Sequence, residues 1–248
     1  MSTINWINFK DKDSRDFNLF VRKKTAYDKA ERDMTFVSIP GRSGDLIIDN
    51  KKFKNIQVEY DLSLFSTQHE ELTENENFFY SFEDVCRWLT EDGKYYKLYS
   101  SYDTLYYRLA CLTKGITMED QEHWSVGKFG IKFNCKPYRY RIGGDEIQTI
   151  IDKSFDLYNE EMYESLPYIK IYGNRDIYLY INGRQYTFLN VKGYVSCDSE
   201  IMNVYKDTVN KNNDFRANQY PILEQGNNHI SVYGDVSKIE IKPRWRTR

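Results

Sequence analysis

Lys128-Phe-Gly-Ile-Lys-Phe-Asn-Cys-Lys-Pro-Tyr-Arg-Tyr-Arg141 is the stretch on which the reading of this chain turns. Phe129, Ile131, Phe133 and Cys135 alternate with Gly130, Lys132 and Asn134. Side chains change face at every residue of a strand, so this period of two predicts a half-buried β-strand. Pro137 has no N–H to donate, which predicts that the ladder stops there. Gly143 and Gly144 follow within a few residues. Pro137, Tyr138, Gly143 and Gly144 therefore read as a hinge between two β-rich domains, 1–141 and 142–248.

Upstream, the same logic predicts a strand over 17–24, and a polar, mixed stretch over 25–35 that reads as a loop or a short turn of helix. A short strand from Phe36 enters the turn Pro40-Gly41-Arg42-Ser43-Gly44-Asp45 and leaves through Leu46-Ile-Ile48. Proline presets φ for a turn and glycine supplies positive φ, so two turn positions are specified. Ile56, Val58, Tyr60, Leu62 and Leu64 alternate with polar residues, and 66–77 reads as an acidic loop. The period then changes. Phe78, Phe82, Val85, Cys86 and Leu89 fall at helical spacing, and Ser81 with Asp84 suggests an N-cap, which predicts one helix over 81–91 packed on the sheet. Tyr95–Tyr99 and Tyr106–Leu112 flank 100–104 as a hairpin. A loop over 114–127, with His123 and Trp124, leads back to the opening stretch.

Downstream, a weak strand near Ile147–Ile151 and an acidic link precede Tyr168–Tyr172, which Gly173-Asn174 is expected to close. Asn182-Gly183 sits between alternating segments, the pattern of a type I′ hairpin. Further strands are expected at Gln185–Val191, Tyr194–Cys197, Met202–Tyr205, Ile230–Tyr233 and Ile239–Ile241, with a polar loop over 207–219. Regularly spaced short strands without a helical period predict a β-sandwich. The fold class is therefore mainly β: an antiparallel sandwich or barrel-like domain carrying one helix and a β-hairpin, followed by a second sandwich.

Composition narrows the function. The 248 residues carry a net charge of −2, so there is no global basic field for nucleic acid or anionic membrane. Mean hydropathy is −0.72 and no apolar run could span a bilayer. Aromatics reach 16%, which excludes a disordered chain. Met1–Phe9 lacks a basic region followed by an apolar core, so synthesis in a cytosol without secretion is expected. Cys86, Cys111, Cys135 and Cys197 form no CxxC pair and read as buried small hydrophobes. His69, His123 and His229 have no metal-ligand spacing, and neither GxSxG nor a P-loop is present. No enzyme, metal or cofactor is expected. Glu70-Glu71 and Glu160-Glu161 read as solvated acidic pairs, and Arg244, Arg246 and Arg248 as a solvated tail. Tyr178, Tyr180, Tyr186 and Tyr233 could stack on sugar, which makes a carbohydrate-binding adhesion module the alternative function.

The ordered motifs resemble a family. Phe17-Asn-Leu-Phe-Val21 precedes Pro40-Gly-Arg-Ser-Gly-Asp-Leu46, similar to the Pro-Gly-x-x-Gly-x-Leu of phage distal tail proteins (Dit). Phe133-Asn-Cys-Lys-Pro-Tyr138 is similar to their Phe-x-Cys-x-Pro-Tyr. Pro167-Tyr-Ile-Lys-Ile-Tyr-Gly173, Gly226-x-Asn-x-Ile230 and Ile241-Lys-Pro-Arg-Trp-Arg246 complete the set. Asn159–Glu164 departs from the pattern by lacking the glycine that often follows the asparagine. The resemblance implies a ring-forming first domain and a galectin-like second one. It implies a homohexameric ring, able to stack, in the virion's tail tip. That ring joins the tail tube protein to the tail-tip protein and receptor-binding proteins. Pro40, Gly41, Arg42 and Gly44 are the expected interface residues.

Overall fold

The computed structural model describes residues 4–24, 29–112, 114–118, 120–122 and 125–248. His123 and Trp124 lie outside them. The chain forms two compact units, Met1–Arg139 with Arg248, and Tyr140–Thr247.

The first unit contains β1 (Ile7–Phe9), β2 (Lys12–Asp13), β3 (Leu19–Lys24), β4 (Arg32–Val37), β5 (Leu46–Phe53), β6 (Ile56–Phe65), α1 (Glu74–Thr90), β7 (Tyr96–Ser100), β8 (Asp103–Leu112), β9 (Asp120–Glu122) and most of β10 (Val126–Arg141). Its main antiparallel sheet runs β2-β1-β7-β8-β10-β6-β3. The opening stretch is its central strand. Ten residues of β10 pair with β6, from Val126↔Phe65 to Cys135↔Ile56. This register sets Phe129, Ile131, Phe133 and Cys135 opposite Leu62, Tyr60, Val58 and Ile56, and all eight are buried. Two period-2 patterns in register bury one apolar face, and a one-residue slip would expose it.

The strand does not stop at Pro137. β10 continues to Arg141, and its β6 ladder ends at Cys135, so the missing N–H falls beyond the last of these pairs. The helix is longer than its apolar spacing predicts, Glu74–Thr90 rather than 81–91. Its cap is Thr73: Thr73 Oγ1 accepts from the Glu76 N–H at 3.3 Å, and Glu76 Oε2 accepts from the Thr73 N–H at 2.9 Å. Such a box satisfies two orphan donors at the first turn. Ser81 lies inside the helix and donates to the Asn77 carbonyl at 2.8 Å. The "acidic loop" of 66–77 thus contains the helix start. Val85, Trp88 and Leu89 bury the inner face of α1. Trp88 stacks on Phe17 at 4.6 Å and donates its indole N–H to the Phe9 carbonyl at 2.8 Å.

The second unit contains β11 (Gln148–Ile150), β12 (Ser154–Asn159), β13 (Tyr168–Ile181), β14 (Arg184–Asp198), β15 (Asn203–Lys206), β16 (Val209–Asn210), β17 (Phe215–Arg216), β18 (Gly226–Lys242) and β19 (Arg246–Thr247). The sheet path is β11-β18-β13-β14-β15-β16, with β12 on β18 and β17 on β14. The expected acidic link holds β12, and the expected polar loop of 207–219 holds β16 and β17. Asn182 and Gly183 both have positive φ, 51° and 79°, as the I′ hairpin requires.

Three long strands replace the expected series of short ones. Gly173 does not close β13; it sits at a register shift against β18 and pairs with Gly193. A Cβ there would lie 2.1 Å from the Asp235 carbonyl oxygen, so glycine lets the two backbones touch while both strands continue. The arginine tail is not uniformly solvated. Arg244 grips Asp198 with two hydrogen bonds at 2.6 and 2.9 Å, and Arg246, 6% exposed, donates to the Glu164 carbonyl. Arg141 donates its N–H to the Trp245 carbonyl at 2.9 Å.

Candidate assembly interface

Among the described residues, β4 and β5 pair only with each other, as a two-stranded sheet. The register is Met34↔Asp49, Thr35↔Ile48, Phe36↔Ile47 and Val37↔Leu46. Directly opposed residues share a face, so Phe36 and Ile47 lie on one side, with Val37, Leu46 and Ile48 on the other. Both sides are exposed: Phe36 and Ile47 at 58% each, and Met34, Val37, Ile39, Leu46 and Ile48 above a third. An isolated hairpin is marginal in water, and contiguous exposed apolar surface marks an interaction site.

The base of the hairpin is tied down. Lys54 N–H donates to the Glu31 carbonyl at 2.9 Å, and Arg32 pairs with Asp49 at 2.5 Å. The hydrogen bonds from Arg32 hold the Asp49 carboxyl below its ordinary range. Phe53 packs against the core, edge-on to Tyr138 with centroids 5.9 Å apart. At the tip, the Arg42 N–H donates to the Ile39 carbonyl at 3.1 Å, while Gly41 and Gly44 adopt φ of 79° and 85°. Pro40, Gly41, Arg42 and Gly44 are all exposed there. Sequence reasoning found the turn and missed the flanking apolar side chains. A run of Leu46-Ile-Ile48 reads equally well as core until the missing third strand is known.

The other residues singled out in the sequence lie as follows. Pro137 and Tyr138 belong to β10 in the first unit. Gly143 and Gly144 form the turn after β10 in the second, where the Gly144 N–H donates to the Arg141 carbonyl at 2.9 Å. Tyr178 and Tyr180 share an outward face with Tyr233, whose ring meets Tyr180 edge-on at 5.6 Å. Tyr186 is 1% exposed and cannot stack on a ligand. None of these tyrosines lines the groove of about 550 Å³ beside β14, whose walls include Val191, Tyr194, Val204, Lys206 and Val209. Glu161 is buried beside Arg141 at 3.5 Å, so Glu160-Glu161 is not simply a solvated pair. His229 faces Asp156 at 2.9 Å. Cys111, Cys135 and Cys197 are buried and Cys86 half-buried, all as thiols; burial pushes Cys135 up to about 12. Among the described residues, no three His, Cys, Asp or Glu side chains cluster as a metal site, and no helix is long and apolar enough to cross a membrane.

Along nearly its whole length, the chain has the fold of hub and baseplate proteins from phage tails. The Dit protein (gp 19.1) of phage SPP1, a hub of the adsorption apparatus in phages infecting Gram-positive bacteria, superposes with a TM-score of 0.70; the match covers 97% of this chain and 99% of that one at 12% identity. Chains of the phage p2 baseplate in its activated conformation match at TM-scores of 0.55 with calcium and 0.54 with strontium, each at 12% identity. These cover 99% and 96% of this chain, and 99% and 97% of theirs. No protein-family model and no curated protein matches the sequence.

Proposed function

We propose that this chain is the non-enzymatic structural hub of a phage tail tip. Six copies form a ring that joins the tail tube protein to the tail-tip protein and the receptor-binding proteins. The observation that carries this reading is the end-to-end fold likeness to SPP1 Dit, which spans both units rather than one common sandwich. The exposed β4–β5 hairpin supports it, because its apolar faces and unpaired edges need a covering surface. In a closed ring one heterologous contact is repeated at every seam. Residues 1–141 form the ring, with Pro40, Gly41, Arg42 and Gly44 at or beside the seam. Residues 142–248 act as a galectin-like sandwich that projects outward and docks adhesins, with Pro137, Tyr138, Gly143 and Gly144 as the hinge. The protein is made in the bacterial host's cytoplasm and ends in the virion.

Solution mass and negative-stain imaging in the presence of the adjoining tail proteins test the reading. A sixfold ring is expected; a chain that stays monomeric under those conditions refutes it. The Tyr180–Tyr233 face favours a second reading, carbohydrate binding by the second unit. Robust saccharide binding by the full chain on a glycan array would support that alternative.

A further inference from the structure

The outer ladder of β14 is interrupted. Near its start Thr187 and Phe188 pair with Arg216 and Phe215 of β17, and near its end Ser196, Cys197 and Asp198 pair with β15. Between them, residues 189–195 have no strand on that side among the described residues. The chain turns back at Asp207, φ 52°, pairs β16 with β15, and returns to β14 only at Phe215. The groove of about 550 Å³ lies in this gap. Asn190 and Gly193 donate their N–H groups to Asp176 and Asn174 of β13, at 3.0 Å each. Lys192 offers its carbonyl to the other side, where Lys206 Nζ of β15 reaches it at 2.6 Å. A lysine ammonium thus stands where the N–H of a neighbouring strand would.

The two sides of the groove differ. Phe188, Val191, Val195 and Val204 line it from the buried core. Lys192 and Tyr194 line it from the outer face, where Lys170 Nζ lies 4.1 Å from the Tyr194 ring centroid. Of the lining carboxylates, Asp214 pairs with Lys211 at 3.1 Å and Asp207 accepts from the Tyr194 hydroxyl. Lys192 and Lys206 have no carboxylate partner among the described residues. An unpaired edge is a template for a further strand, in which main-chain bonds supply affinity and alternate side chains supply specificity. We propose that the second unit takes an extended segment of a partner protein along residues 189–195, one that alternates aliphatic with acidic side chains. The aliphatic side chains meet Val191, Val195 and Val204, and the acidic ones lie on the side of Lys192. A backbone N–H of the segment replaces the Lys206 ammonium at the Lys192 carbonyl and frees that ammonium for a carboxylate. Such capture deepens the docking role of residues 142–248 in the hub and rests on that reading.

The test is fluorescence anisotropy of a dye-labelled hexapeptide, Val-Glu-Val-Asp-Val-Glu, titrated with the full chain. Saturable binding is expected. The same peptide N-methylated on alternate backbone nitrogens, which removes the ladder donors, should bind at least about tenfold more weakly, and so should a Val-Lys repeat of equal length. Lys192→Glu and Val209→Asp change exposed groove residues, so both variants should keep the wild-type circular dichroism. Each should weaken binding about three- to tenfold. No saturable binding up to about 1 mM peptide overturns the proposal. So does equal binding of the N-methylated or the lysine peptide, or undiminished binding by both folded variants. Ring assembly is a separate readout: a chain that forms the ring but captures no peptide loses this site alone, and one that captures peptide but forms no ring loses the hub reading.

Discussion

Charging one face of the β4–β5 hairpin tests assembly with little cost to folding. The double substitution Phe36→Asp and Ile47→Asp replaces two opposed side chains that are each 58% exposed. Full burial of such a side chain is worth about 1.5–3 kcal/mol, so covering the exposed fraction contributes about 1–2 kcal/mol per residue. Losing both weakens each seam by about 2–4 kcal/mol, roughly 30- to 700-fold in association. The two carboxylates must also be desolvated if the seam is still to close. The isolated chain loses little, because exposed substitutions away from the core usually fall within about 0.5 kcal/mol. Light scattering with the adjoining tail proteins should therefore show the wild-type ring replaced by monomer. Circular dichroism and Tm of the variant alone should stay near wild type. A variant that assembles as well as wild type refutes the assignment of this hairpin to the seam. A variant that unfolds refutes the claim that the two residues are free of the core.

Two predictions concern the fold itself. Gly173→Ala places a Cβ 2.1 Å from the Asp235 carbonyl oxygen, a backbone obstacle that cannot rotate away. A loss of about 1–3 kcal/mol is expected by urea denaturation, and an unchanged midpoint would count against the close strand contact. Alkaline pH should also destabilise the first unit. Burial pushes Tyr60 and Cys135 each up to about 12 from 10.0 and 9.0. Both hold their protons in the folded state at a pH where the unfolded chain releases them. The stability they contribute is complete below about pH 9 and is lost as pH rises towards 12, at up to about 1.4 kcal/mol per pH unit for each group. Urea midpoints at pH 8, 10 and 11 should fall in that order; a flat profile would show that neither group is buried as described.

The alternation of Phe129–Cys135 and of Ile56–Leu64 specified both central strands and their buried faces, because a period of two leaves one solution per strand. Asn182-Gly183 specified its turn through the positive φ it tolerates. The order of weak motifs pointed to the Dit fold, although 12% identity leaves little else to compare. Other features depended on neighbours that sequence does not display. Pro137 was harmless because the β6 ladder had already ended. Gly173 was a contact point for β18, not a stop. The helix began at Thr73 because a capping box outweighs a polar composition. Arg244 lies 46 residues from Asp198 and meets it only once β14 and the C-terminal segment are side by side.

The sequence by itself determined a mainly β chain with one helix and a turn at Pro40–Gly44, since backbone propensity and side-chain period act over a few residues. Only the tertiary structure decided that Phe36, Ile47 and their neighbours face solvent and that Arg244 meets Asp198. Exposure and charge balance are properties of what packs alongside, and the residues alongside are remote in sequence.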